Sequence, residues 1–134
     1  MKLAGLDGES MEITSTRSSS DDEIGRDRLV VVAVRLRGFS GQTDAWILDE
    51  AWSAFLEDLA RLERARQGAA SFESISPDEI RISFRSIDGA GHMAVDGFVG
   101  IRTGGYATKL TFSAMRFDPT ELPRVLRELK ALGG

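Results

Sequence analysis

Cysteine is absent and histidine occurs once in the 134 residues. No disulfide can form, and thiolate zinc and iron–sulfur sites are excluded. The one histidine, His92, lies beside a glycine turn and cannot by itself assemble a metal site or a charge-relay set. Long apolar runs are missing too. The longest spans residues 29–34, which is strand length and far below the roughly 20 residues that cross a bilayer. The opening MKLAGLDGES lacks the apolar core of a signal peptide, so a cytoplasmic protein without membrane contact is expected. Basic charge is not in excess: 21 acids against 17 bases give a net charge of −4, which disfavours a nucleic-acid partner.

What is present is ordinary globular composition, 42% hydrophobic and 28% charged. A chain this long buries roughly two-thirds of its unfolded surface, enough for a core without staples. No composition shift or repeat divides it, so one domain over 1–134 is expected. The negative charge is local. Residues 1–25 carry six acids and two bases, and the remaining charges cancel.

Hydrophobic periodicity places the elements. Asp7-Gly8 between two short strand-like segments marks a hairpin. Residues 16–25, rich in Ser and Asp with little to bury, read as a mobile polar loop. Residues 28–39 form a long strand apolar on both faces, with Val30, Val32, Val34 and Leu36 on one and Leu29, Val31 and Ala33 on the other. A turn at Phe39-Ser40-Gly41 returns the chain as a strand to Leu48. Trp52, Phe55, Leu56, Leu59 and Leu62 recur at helical spacing, which predicts a helix over 49–67 with Asp49 as N-cap and Gly68 as C-cap. Four strands follow, over 70–75, 79–87, 92–101 and 106–117, joined by Gly- or Pro-containing turns. In the last, Leu110, Phe112 and Ala114 alternate with Lys109, Thr111 and Ser113. Trp46 stays ambiguous, because Ala45 and Ile47 compete with it for the inward face. Asp118-Pro119-Thr120-Glu121 then starts a second helix over 119–132, with Leu122, Val125, Leu126 and Leu129 as its stripe. The class is α+β: a mostly antiparallel sheet of six to eight strands with both helices packed on one face.

The chain carries no recognisable catalytic equipment. There is no Gly-x-Ser-x-Gly elbow and no phosphate loop. The Gly89–Ala94 spacing leads into a strand and not a helix. Asp21-Asp22-Glu23 lacks the alternation and closing Glu of a calcium loop. No acid, base and nucleophile set can be assembled, so no enzyme, no metal and no cofactor is expected.

The order of elements resembles the small immunity proteins of the WapI type, which accompany contact-delivered bacterial toxins. The matching pieces are Gly38-Phe39-Ser40-Gly41, Trp46–Leu48, the helix from Asp49 to Leu62, Gly91-His92-Met93-Ala94-Val95, and Leu122-Pro123-Arg124-Val125-Leu126-Arg127-Glu128-Leu129. These are fold motifs of turns and core residues. The resemblance implies a non-enzymatic protein that neutralises one cognate toxin, and it transfers no catalytic residue. If that toxin is a nuclease, acidic groups would stand in for its phosphates. Asp21, Asp22 and Glu23 are the first candidates for contact. Glu57 and Asp58 of the first helix come second, and Arg81, Arg85 and Asp96 on the outer sheet face third. Three other functions compete with this one: a general interaction module, which would include association with further copies of itself, a small-ligand carrier, and an enzyme. The bulky core residues argue against the carrier's cavity.

Overall fold

A computed structural model describes residues 1–18 and 27–132. The elements run β1 (Lys2–Ala4), β2 (Ser10–Ser18), β3 (Arg28–Arg35), β4 (Ser40–Ile47), α1 (Asp49–Ala65), β5 (Ala69–Glu73), β6 (Ile80–Ser86), β7 (Met93–Thr103), β8 (Tyr106–Phe117), a 3₁₀ turn (Pro119–Glu121) and α2 (Leu122–Ala131). The α+β class and the two helices hold. The eight strands divide into two antiparallel four-stranded sheets, in order β1-β2-β3-β4 and β5-β6-β7-β8. No helix of the described residues is long and apolar enough to cross a membrane.

The inner faces of both sheets are built by alternate residues. Val30, Val32 and Val34 of β3 are buried, as are Ile80, Ile82 and Phe84 of β6. All join one hydrophobic cluster with the stripes of both helices. Trp52 and Phe55 of α1 meet Phe72 at ring-centroid distances of 5.2 and 4.9 Å, and Phe84 meets Phe117 at 5.8 Å, so aromatic edges run from helix through sheet. Helix α1 therefore covers the inner face of β5–β6. The two sheets are tied by backbone bonds at opposite corners: Leu6 N–H donates to the Arg116 carbonyl (2.8 Å) and Ile75 N–H to the Trp46 carbonyl (2.9 Å).

Five local expectations are corrected. The first turn after β3 lies earlier than expected: Leu36 N–H donates to Phe39 O (2.7 Å), Gly38 adopts φ +81°, and Ser40 and Gly41 already belong to β4. Asp49 is not the N-cap of α1. Leu48 holds that place in extended conformation without a side-chain cap, while the Asp49 N–H donates to Asp27 Oδ1 (2.9 Å). The helix also ends on Arg66, which still donates its N–H to the Leu62 carbonyl and then turns the chain out of the helix at a left-handed φ of 59°, and not on Gly68. In β8, Ala114 is exposed, and the inward residues are Phe112, Met115 and Phe117. The cause is a bulge. Val95 pairs with Met115 and Gly97 with Phe112, so one residue of β7 faces two of β8, and Ala114 takes φ +57°. Finally, β2 carries on through Ser18, so its last three residues are strand where a loop was expected. The rest of that expected loop, apart from those residues, lies outside the described residues.

Asp118 does cap as expected, accepting the Thr120 N–H (3.0 Å) and hydroxyl (2.8 Å), though it caps the 3₁₀ turn and α2 proper begins at Leu122. Trp46 resolves to the outer face, half-buried, with Ala45 and Ile47 inside.

Candidate protein-binding surface

The outer face of β5–β8 holds three of the residues expected to meet a partner, and the structure engages them internally. Arg81 pairs with Glu73 on the neighbouring strand at 3.3 Å. Arg85 pairs with Asp96, its Nη2 lying 3.3 Å from Oδ1, and the Ala114 N–H donates to the same carboxylate at 2.6 Å. Asp96 therefore fills the gap that the bulge opens in the β7–β8 ladder. Partial burial pushes its carboxyl up, but the hydrogen bonds from Arg85 and Ala114 and the Arg85 charge outweigh that, so it sits below the usual carboxylate value. Arg85 is raised in turn, first by its hydrogen bond to Asp96 and then by its charge.

Glu57 and Asp58 lie elsewhere, on the solvent side of α1, with Asp58 paired to Arg61. Since α1 covers the inner face of β5–β6, these acids and the Arg81–Arg85–Asp96 group look in opposite directions. Asp21, Asp22 and Glu23 lie outside the described residues. The lone histidine holds a turn: His92 Nδ1 is 2.6 Å from Asp88 Oδ2, and Asp88 also accepts the Ala90 N–H at 2.8 Å. These bonds, His92 first, hold the exposed Asp88 carboxyl below its usual value. Among the described residues no three His, Asp or Glu side chains converge as metal ligands would.

One buried charge escaped the sequence. Arg28 opens β3 at 6% exposure, its guanidinium 3.0 Å from Asp49 and 5.3 Å from the Trp52 ring centroid. Its Nε and the Trp52 indole N–H find no hydrogen-bond partner among the described residues. With the Asp27 carboxylate on the Asp49 N–H, this cluster anchors the start of α1 from β3 and is structural.

Exposed apolar side chains mark a different surface. Strand β6 pairs with β7 from Met93 to Val99, and the Gly100 N–H still donates to the Glu79 carbonyl (2.7 Å), so the β7–β8 hairpin continues as a two-stranded arm only beyond Gly100. Along β7, Val99 faces inward, and Ile101 shares its side. Their partners across the ladder are Leu110 and Thr108, with Tyr106 opposite Thr103 at the tip. Ile101 is 58% and Tyr106 84% exposed, high values for apolar and aromatic side chains on one face of one hairpin. The arm stands beside β4. A hollow of about 420 Å³ lies among Gln42, Asp44, Glu79, Ile101 and Arg102, and another of about 180 Å³ among Gly41, Gln42, Ile101, Thr108 and Leu110. Asp44, Glu79 and Arg102 form no ion pair among the described residues. In the structure β7 and β8 run 11 and 12 residues against 5 and 7 in β5 and β6, a mismatch that the expected spans 79–87 and 92–101 did not show.

The described residues thus form a two-sheet α+β scaffold with paired charges on the outer face of β5–β8 and an apolar arm beside β4. The chain matches the immunity protein WapI-like family over residues 2–132, and it belongs to that family. No curated protein and no solved structure gives a significant match.

Proposed function

We propose that this protein neutralises one cognate bacterial toxin by binding and occluding it, without catalysis, in the cytoplasm of the cell it protects. The observation that carries this is the family match across residues 2–132, nearly the whole chain. A toxin domain is then the partner, and no cofactor or nucleic acid is required. The exposed arm supports a protein partner, because isolated apolar side chains on a projecting hairpin gain most by burial in another protein. The acidic N-terminal region supports electrostatic steering toward a basic, nuclease-type domain. In that role Asp21, Asp22 and Glu23 are the leading contact candidates, with Glu57 and Asp58 second. Arg81, Arg85 and Asp96 come after them.

The test is co-purification of the full chain with the product of its neighbouring gene. A stable complex whose affinity falls on charge reversal at Asp21, Asp22 and Glu23 supports both the function and the contact assignment. A complex indifferent to that reversal keeps the function and removes those contacts. No complex removes the function.

A further inference from the structure

Strand β4 is the outermost strand of its sheet, and the direction of its backbone groups can be worked out. The Leu36–Phe39 hydrogen bond makes that pair the first rung of the β3–β4 ladder, so the rungs that follow fall on Gly41, Thr43, Ala45 and Ile47. The intervening residues Ser40, Gln42, Asp44 and Trp46 must direct both N–H and C=O away from β3. The Trp46 carbonyl confirms this independently, because it accepts the Ile75 N–H from outside the sheet at 2.9 Å. The chain itself thus uses this edge once, at Trp46. The next outward residues, Asp44, Gln42 and Ser40, continue the same row of donors and acceptors with no backbone partner among the described residues. An open row of this kind is what a further strand recognises.

The surroundings restrict what can occupy it. Leu110 and Val99 pack directly on Gly41, where an added Cβ would lie 3.0 and 3.1 Å from them, and beside that contact Ile101 and Thr108 of the arm line the hollow next to Gly41 and Gln42, so the open row runs along an apolar wall. A second sheet edge carrying its own domain would have to pass the arm, whereas a single extended segment would not. The larger hollow is lined by the carboxylates of Asp44 and Glu79, which form no ion pair among the described residues, and by the guanidinium of Arg102, so its described lining is net negative.

We infer that the β4 edge at Ser40–Asp44 is a strand-addition site that takes an extended segment of the toxin, with a lysine or arginine facing Asp44 and Glu79 and an apolar side chain against the exposed Ile101. This rests on the immunity function proposed above. Main-chain bonds supply affinity and the alternate side chains supply specificity.

The experiment measures binding of the full chain to the neighbouring gene product for the wild type, Gln42→Pro and Gln42→Ala. Proline at Gln42 deletes an outward N–H and leaves the β3 rungs intact, a position where edge strands tolerate it. Gln42→Pro is expected to weaken binding about tenfold or more, and Gln42→Ala by less than about threefold. Amide exchange on the wild-type complex gives a second reading independent of any variant: the Gln42 and Asp44 amides, unprotected in the free chain, should slow at least about tenfold on binding. Wild-type-like binding by a folded Gln42→Pro, or unprotected amides at both positions, overturns the strand-addition site and leaves the immunity function standing. Equal losses in Gln42→Pro and Gln42→Ala would assign recognition to the side chain and also overturn it. If the free chain is dimeric and Gln42→Pro makes it monomeric, the occupant is a second copy and the toxin assignment fails. If the wild type binds no neighbouring product, the immunity function fails and the inference falls with it.

Discussion

Replacing Asp96 by alanine separates a scaffold role from a contact role. The carboxylate holds the β8 bulge through the Ala114 N–H at 2.6 Å and pairs with Arg85, with its own side chain 25% exposed and that of Arg85 37% exposed. A charge-assisted bond to a backbone N–H contributes about 1.5 kcal/mol when partly shielded. The Arg85 pair, open to solvent, adds about 0.5 kcal/mol. Asp96→Ala should therefore cost about 2 kcal/mol, Asp96→Asn about 1 kcal/mol because its amide oxygen still accepts the Ala114 N–H, and Arg85→Ala under about 1 kcal/mol. For 134 residues, the unfolding entropy per residue converts 1 kcal/mol to about 3.5 °C, so Asp96→Ala should melt about 7 °C below the wild type in calorimetry. The pH dependence has a definite sign. A carboxyl held below its unfolded value of 3.8 stabilises the fold above that pH, and the contribution is lost as pH falls through the lower folded value. The gap between wild type and Asp96→Ala should thus be full at neutral pH and shrink below about pH 4. An Asp96→Ala protein that melts with the wild type yet no longer binds its partner would refute the scaffold role and make Asp96 a contact residue.

Three further substitutions test the fold. Ala114→Gly relieves a left-handed alanine at φ +57° and should raise stability by about 0.5–1 kcal/mol, read as a melting shift of about 2–3 °C. Gly97→Ala places a Cβ 2.0 Å from the Arg81 carbonyl oxygen, so β6 and β7 must separate, and chemical denaturation should show a loss of about 3 kcal/mol or more. At the start of α1, Arg28→Met keeps an apolar stem over Trp52 and should cost under about 1.5 kcal/mol, whereas Asp49→Ala strands the buried guanidinium and should cost about 2–3 kcal/mol; the reverse order in urea unfolding would contradict the ion-pair account.

The legible parts of the chain were those fixed by local pattern. Trp52, Phe55, Leu59 and Leu62 sit one helical turn apart and are buried as a stripe. Asp7-Gly8 lies between antiparallel strands, with Gly8 at φ +84°. What was not legible depends on residues far apart. Asp49 was chemically suited to cap α1, yet its N–H is met by Asp27 and its carboxylate by Arg28, both at the entry to β3. Ala114 fitted the alternation of β8, but the bulge opposite Asp96 turns it outward, and nothing in that strand's own sequence announces the extra residue. Arg81, Arg85 and Asp96 were expected to meet a partner, because the pairing of Arg81 with Glu73 and of Arg85 with Asp96 depends on the strand register. The edge at Ser40–Asp44 is invisible to local pattern, since being outermost is a property of topology.

The family membership makes growth rescue the most direct measurement. The neighbouring gene product is expressed from an inducible promoter in a sensitive host, with this chain, with its Gln42→Pro variant, and alone. Growth should arrest when the product is alone and be full when the wild-type chain is present. Arrest that persists despite folded, equimolar wild-type chain, or a neighbouring product that does not arrest growth at all, would contradict the immunity function.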